Sequence, residues 1–207
     1  LTIAVPLAAE TGAEVVIPHY RLAPESPWPA AIDDGFSVFK EMSSEPLALV
    51  GESAGGNLCL TLILRAFQLG IRLPQAAAFL SPWCDLSNAG PSVVNNDGRD
   101  PALSAQHIDF AANYYVGEHD PTNPMISPIY GVFDKSFPPS IITTGSRDLL
   151  MSQAMGLRDV LKDNNVPVEL CLWKDLWHVF EWDYRLPESS ESIRQISNWL
   201  QSYMPNF

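Results

Sequence analysis

Residues Gly51-Glu52-Ser53-Ala54-Gly55, followed by Gly56, hold a serine among glycines at the end of an apolar run. A serine hydroxyl is a weak nucleophile until a base removes its proton, and imidazole suits that task best near neutral pH. The imidazole needs a carboxylate to fix its tautomer and stabilise its cation. The chemistry to look for is therefore acyl transfer by a serine, a histidine and an acid. Gly-x-Ser-x-Gly also arises by chance as a glycine-rich turn, so its flanks decide. "PLALV" before it has strand length, and "NLCLTLILRAF" behind it is apolar over helical length with no proline. A strand, a sharp turn and a helix make a nucleophile elbow. The turn predicts that Gly51 and Gly55 are needed because flanking residues can carry almost no side chain. It also predicts a strained, exposed Ser53 with helix N–H groups aimed at any negative charge formed beside it.

The partners should follow later strands, in the order serine, acid, histidine. Of the four histidines, His19 precedes the serine, and His107 and His119 lie in a long irregular segment. His178, in "LWHVFEW", follows the last strand-like run. For the acid, Asp148 ends "IITTGSRD" directly after a strand-like run, whereas Asp175 lies only three residues from His178 on one loop, an awkward reach. The reading is Ser53, Asp148 and His178, with Asp175 a solvated loop charge.

The elements that must position them alternate. Strands are predicted at "AEVVIPHY", "PLALV", "QAAAFLSPW", "SIITTGSRD" and "VPVELCLW"; helices at "PAAIDDGFSVFKEM", behind Ser53, at "MSQAMGLRDVLKDN" and at "ESIRQISNWLQSYM". Strands separated by helices imply a mainly parallel sheet in an α/β sandwich. Residues 1–207 read as one domain, with an insertion over 86–137 that has no convincing strand and one amphipathic helix, "AQHIDFAANYYVG". Its length and its place after a strand end predict a lid or pocket wall; a surface decoration is the alternative.

A chain of 207 residues that is 46% hydrophobic and 17% charged is globular. A net charge of −12 argues against nucleic acid or anionic membrane as partners. No apolar stretch reaches spanning length, and nothing at the start reads as a signal peptide. The odd count of three cysteines, Cys59, Cys84 and Cys171, reads as buried free thiols of a cytoplasmic protein. No Cys or His pair has metal-ligand spacing, and neither cofactor nor metal is expected.

"PHYRLAPESPWPAAIDD" with "GESAGG" resembles the hormone-sensitive-lipase-like branch of the α/β-hydrolases, and "SPWCDLS", "DPALS", "NPMISP", "GSRDLL" and "WHVF" continue the resemblance over essentially the whole chain. It implies an N-terminally truncated α/β-hydrolase sandwich and a triad at Ser53, Asp148 and His178, the residues chosen above. It implies hydrolysis of a small-molecule ester or lactone through an acyl-enzyme. Arg21, Glu25, Asp33 and Asp34 then fix loops as ion pairs. Trp83 and Trp177 are candidates for the substrate pocket. Members carry a His-Gly-Gly-Gly loop that supplies half of the oxyanion hole; these 207 residues contain none. Ala54 N–H is the remaining donor, so impaired turnover is expected, in a fragment or in a shortened member. The strand that members place between "EVVIP" and "LALV" is absent too, which leaves open edges that invite a homo-oligomer. The alternative function is a non-catalytic ligand-binding protein on the same scaffold.

Overall fold

The structure, a computed structural model, describes residues 2–204. Four short apolar runs become strands: β1 (Ala48–Glu52), β2 (Ala76–Leu80), β3 (Ser140–Gly145) and β4 (Val168–Trp173). They form one parallel sheet in the order β1-β2-β3-β4. Parallel pairing requires a crossover between strands, so helices cover both faces. The central strands β2 and β3 are buried at every residue, while β1 and β4 are half-buried edges.

Strand periodicity of two divides the core. Ala77 and Phe79 of β2 face Leu60 and Ile63 of α3 (Ala54–Leu69) and Leu157 and Leu161 of α6 (Met151–Asp163). Ala76, Ala78 and Leu80 face Leu7 of α1 (Ala4–Thr11) and Ile193, Ile196 and Leu200 of α7 (Pro187–Tyr203). The helix α2 (Ala30–Met42) packs Ile32, Phe36 and Phe39 on Leu58 and Leu62, which explains why α3 is apolar nearly all round. The segment 86–137 folds as α4 (Pro91–Asn95), α5 (Ala105–Val116) and a 3-10 turn at Pro128–Tyr130. Val93, Ile108, Ala112, Val116 and Ile126 cluster with Trp83, Leu149 and Leu150 from outside the segment, while Phe133 and Phe137 join the core against α3 and α6.

Several local expectations change. The run "AEVVIPHY" is not a strand: Val15, Val16 and Ile17 are exposed and the sheet ends at β1. β-Propensity describes packing against neighbours, and no strand among the described residues lies beside this run. The last helix begins four residues early, because Pro187 suits a first turn. The short α4 was not foreseen; Pro91 opens it. Cys59 and Cys84 are buried thiols, and burial pushes Cys59 up to about 12, but Cys171 is only half-buried on the edge strand. The foreseen pairing of the charged string holds for Arg21 with Asp34 at 2.7 Å and for Asp33 with Arg65 at 2.8 Å, while Glu25 is exposed. Among the described residues no helix is long and apolar enough to cross a membrane.

Candidate active site

Only Ser53 separates the last residue of β1 from the first residue of α3. Its φ of 52° and ψ of −120° lie where non-glycine residues rarely go. Such a conformation costs about 1–3 kcal/mol and persists only when the surroundings hold it. They do: Ser53 N–H donates to the Leu80 carbonyl at 2.9 Å, and its own carbonyl accepts from Trp83 N–H at 3.1 Å and Asn57 N–H at 3.2 Å. Asn57 Nδ2 donates to the Trp83 and Ile126 carbonyls, both at 2.9 Å. The requirement for glycine falls at Gly51, where a Cβ would run into the Gly55 carbonyl and come within 2.8 Å of Cys59 Sγ. It falls again at Gly56, where a Cβ would meet Pro82 Cβ at 3.0 Å. At Gly55 a Cβ would stand in open space, so the expected need for glycine there is corrected: Gly55 contributes its backbone, not its missing side chain. Ala54 is exposed in the first turn of α3, and the Ser53 side chain makes no capping bond that would use up the N–H groups there.

The imidazole of His178 faces this hydroxyl, with Nε2 2.9 Å from Ser53 Oγ and Nδ1 3.1 Å from Asp148 Oδ1. Asp148 follows β3 and is 0% exposed; His178 follows β4 and is 1% exposed. The carboxylate also accepts from Leu150 N–H on Oδ1 and from Thr144 Oγ1 on Oδ2, both at 2.8 Å. Burial pushes the Asp148 carboxyl up, but His178, the Ser81 hydroxyl and the Leu150 N–H outweigh it and hold the group below the ordinary carboxylate range. The loop carrying His178 reaches this position because Gly145 has no side chain. A Cβ there would strike the Leu176 carbonyl and stand 2.7 Å from Trp177 N. Asp175 points away, 59% exposed and 3.5 Å from Arg147. The other three histidines are exposed, and His119 packs on Trp28. Among the described residues no group of three or more His, Cys, Asp or Glu side chains is placed to hold a metal ion.

Residues 2–182 match the family model described as alpha/beta hydrolase fold. The chain belongs to the alpha/beta hydrolase family. This hydrolase is similar to an acetyl-hydrolase of Streptomyces hygroscopicus, 32% identical over 202 residues that make up 95% of this chain and 67% of the relative. It is similar to an esterase of Acinetobacter venetianus, 28% identical over 95% of this chain and 67% of that protein. A crystal structure of an esterase from the bacterial hormone-sensitive lipase family superposes with a TM-score of 0.92 at 31% identity, over 96% of this chain and 69% of that one. The hydrolase thus spans about two thirds of the length of these relatives.

Segment 86–137 of the hydrolase also holds the loop that bears Asp148. Asn96 Nδ2 donates to the Asp148 carbonyl at 2.8 Å, Asp100 Oδ2 accepts from Leu149 N–H at 2.8 Å, and Ser92 Oγ donates to the Leu149 carbonyl at 2.7 Å. All three are buried, and together they clamp the loop that bears Asp148. Nothing in their residue types marks them out; their partners lie 49 to 57 positions away. Of the two expected pocket tryptophans, Trp83 is 9% exposed, packed in the core of the insertion, with its indole N–H on Asn88 Oδ1 at 2.9 Å. Trp177 is half-buried, with its backbone N beside Gly145 of β3. The tryptophan that stands against the His178 ring is Trp182, which was not foreseen.

Proposed function

We propose that this hydrolase cleaves carboxylic esters of small molecules through a serine-bound acyl-enzyme. Ser53 Oγ attacks the carbonyl carbon while His178 Nε2 takes its proton. Asp148 keeps the proton of the neutral imidazole on Nδ1 and stabilises the cation that forms. The tetrahedral oxyanion accepts from Ala54 N–H, the one donor we assign within the described residues. Collapse expels the alcohol, protonated by His178. Water then enters, gives a proton to His178 and attacks the acyl carbon; the acyl carbon–Ser53 Oγ bond breaks as His178 returns that proton to Oγ, releasing the acid and free Ser53. No step calls for a cofactor. The reading is carried by the unbroken line Ser53 Oγ, His178 Nε2, His178 Nδ1, Asp148 Oδ1, with separations of 2.9 and 3.1 Å. The names of its relatives, acetyl-hydrolase and esterase, support a small acyl group.

Turnover depends on several steps and on every oxyanion donor, since loss of one donor typically costs about 10²–10³ in rate. Labelling by a fluorophosphonate is therefore the primary test, because it reports the nucleophile in one covalent step. Wild type should label on Ser53, identified by peptide mass spectrometry, and Ser53→Ala should not label while keeping its circular dichroism spectrum. A folded protein that fails to label, but binds small esters without turning them over, would establish the non-catalytic alternative.

A further inference from the structure

Trp182 closes a 3-10 turn, Phe180–Trp182, four residues after His178. Its indole stands edge-on to the imidazole, with ring centroids 6.3 Å apart and planes at 89°. Its Nε1–H donates to Glu52 Oε2 at 2.8 Å, and Glu52 is the residue before Ser53. The indole therefore bridges the strand end that presents the serine and the ring that would receive its proton, flanking the 2.9 Å contact between them. A large aromatic side chain so placed would ordinarily be packed away, yet 46% of Trp182 is exposed. Its backbone has little freedom. Phe180 beneath it is fully buried against Trp173, and Glu181 accepts from Thr143 Oγ1 at 2.7 Å and Ser192 Oγ at 2.8 Å. An exposed aromatic face held rigid from below is what a subsite needs.

We propose that Trp182 is the wall of the subsite for the alcohol portion of the ester, and that Glu52 orients it. The inference rests on the reading of Ser53 and His178 above. His178 protonates the departing alkoxide, so the alcohol must leave past the imidazole, and the indole stands beside that ring. The surface offered is aromatic, so it takes flat or bulky apolar alcohol groups. The Glu52 carboxylate beside it disfavours an anionic group. The chemical class is an ester of a neutral apolar alcohol, aromatic before short alkyl.

Benzyl acetate and ethyl acetate share one acyl group and differ in the alcohol. The ratio of their kcat/KM values is the readout, for wild type, Trp182→Ala and Glu52→Gln. Trp182→Ala should lower the benzyl-to-ethyl ratio about tenfold. Glu52→Gln keeps an acceptor for the indole and should hold that ratio. It should also raise the use of 4-(acetoxymethyl)benzoate relative to benzyl acetate by about fivefold, the effect of removing one nearby charge in a wet site. A benzyl-to-ethyl ratio within twofold of wild type in Trp182→Ala overturns the subsite, even if both rates fall, since an equal fall means the indole only props His178. A relative use of the benzoate ester that does not rise in Glu52→Gln overturns the role of Glu52. Hydrolysis of both esters that survives Ser53→Ala overturns the nucleophile assignment, and the subsite with it. Circular dichroism of each variant guards against misfolding, and Trp182 is exposed enough for its removal to be tolerated.

Discussion

Replacing Asp148 by asparagine separates two things its carboxylate does, and the surrounding donors set how much each matters. Oδ1 takes the Leu150 N–H at 2.8 Å and faces His178 Nδ1 at 3.1 Å, while Oδ2 takes the Thr144 hydroxyl at 2.8 Å. A backbone N–H can only donate, whereas a hydroxyl can turn and accept. The asparagine oxygen should therefore occupy the Oδ1 place and its NH₂ should face Thr144. The reverse orientation would leave the buried Leu150 N–H without an acceptor, at a cost of about 1–3 kcal/mol. In the favoured orientation His178 keeps its proton on Nδ1, and Nε2 stays free to act as base. What is lost is charge. At about 4 Å and an effective dielectric near 20, a carboxylate stabilises an imidazolium by about 4 kcal/mol. At 1.36 kcal/mol per decade that is about 10³ in rate. It is smaller than the loss of about 10⁴ known where an amide imposes the wrong tautomer. The assay is hydrolysis of p-nitrophenyl acetate together with the rate of fluorophosphonate labelling, for wild type, Asp148→Asn, Asp148→Ala and Asp175→Asn. Asp175→Asn should stay within about twofold of wild type, because that side chain is exposed and, among the described residues, pairs with Arg147 alone. An Asp148→Asn enzyme within tenfold of wild type, or an Asp175→Asn enzyme as impaired as Asp148→Asn, would refute the assignment of the acid. A loss of 10⁴ or more, with the imidazole proton on Nε2 in nitrogen NMR, would refute the orientation of the amide.

Asn96→Ala removes the donor to the Asp148 carbonyl, so stability should fall by about 1–3 kcal/mol, and labelling of Ser53 should slow; urea unfolding and labelling kinetics check both. Glu181 is buried with Oε2 unpartnered among the described residues, and burial raises its carboxyl above the usual 4.5 despite the hydroxyls of Thr143 and Ser192, with Asp148 adding to the rise. The folded state then binds more protons than the unfolded state, so this group lowers stability as pH rises from about 4.5 through its folded value. Glu181→Gln cannot titrate, and thermal melts from pH 4 to 8 should show it gaining on wild type as pH rises. Gly145→Ala drives a methyl group into the backbone of Leu176 and Trp177. It should cost at least about 1–3 kcal/mol and slow labelling as the His178 loop lifts, measured by denaturation and labelling together.

The three side chains that meet at Ser53 were legible because their signals are local. Ser53 sits between an apolar run and an apolar helix, and Asp148 and His178 each follow a run of strand-forming residues, so chain order alone selects them from four histidines and many acids. The four strands of the sheet and the long helices were readable for the same reason. Features that depend on distant partners were not. "EVVIP" has every intrinsic mark of a strand, and only a neighbour would make it one. Gly51, Gly55 and Gly56 look alike in sequence, but which of them is crowded depends on Pro82 and Cys59. Trp182 is one of six tryptophans, and its place against His178 is set by a turn whose anchors, Thr143 and Ser192, lie on β3 and α7.

The clamp that Ser92, Asn96 and Asp100 place on the Asp148 loop sets a rule for exchanging parts among related hydrolases. A designer who treats 86–137 as a removable lid, and swaps it whole to change substrate range, also removes the three side chains that seat Asp148. Crossovers placed after Asp100 and before Asn123 would leave those side chains in position. They would still transplant α5 and the side chains it puts into the cluster that holds Trp83. Chimeras cut at the wider boundary should fold around the sheet and still lose nucleophile reactivity. That failure would look like a poor pocket when it is in fact a displaced carboxylate.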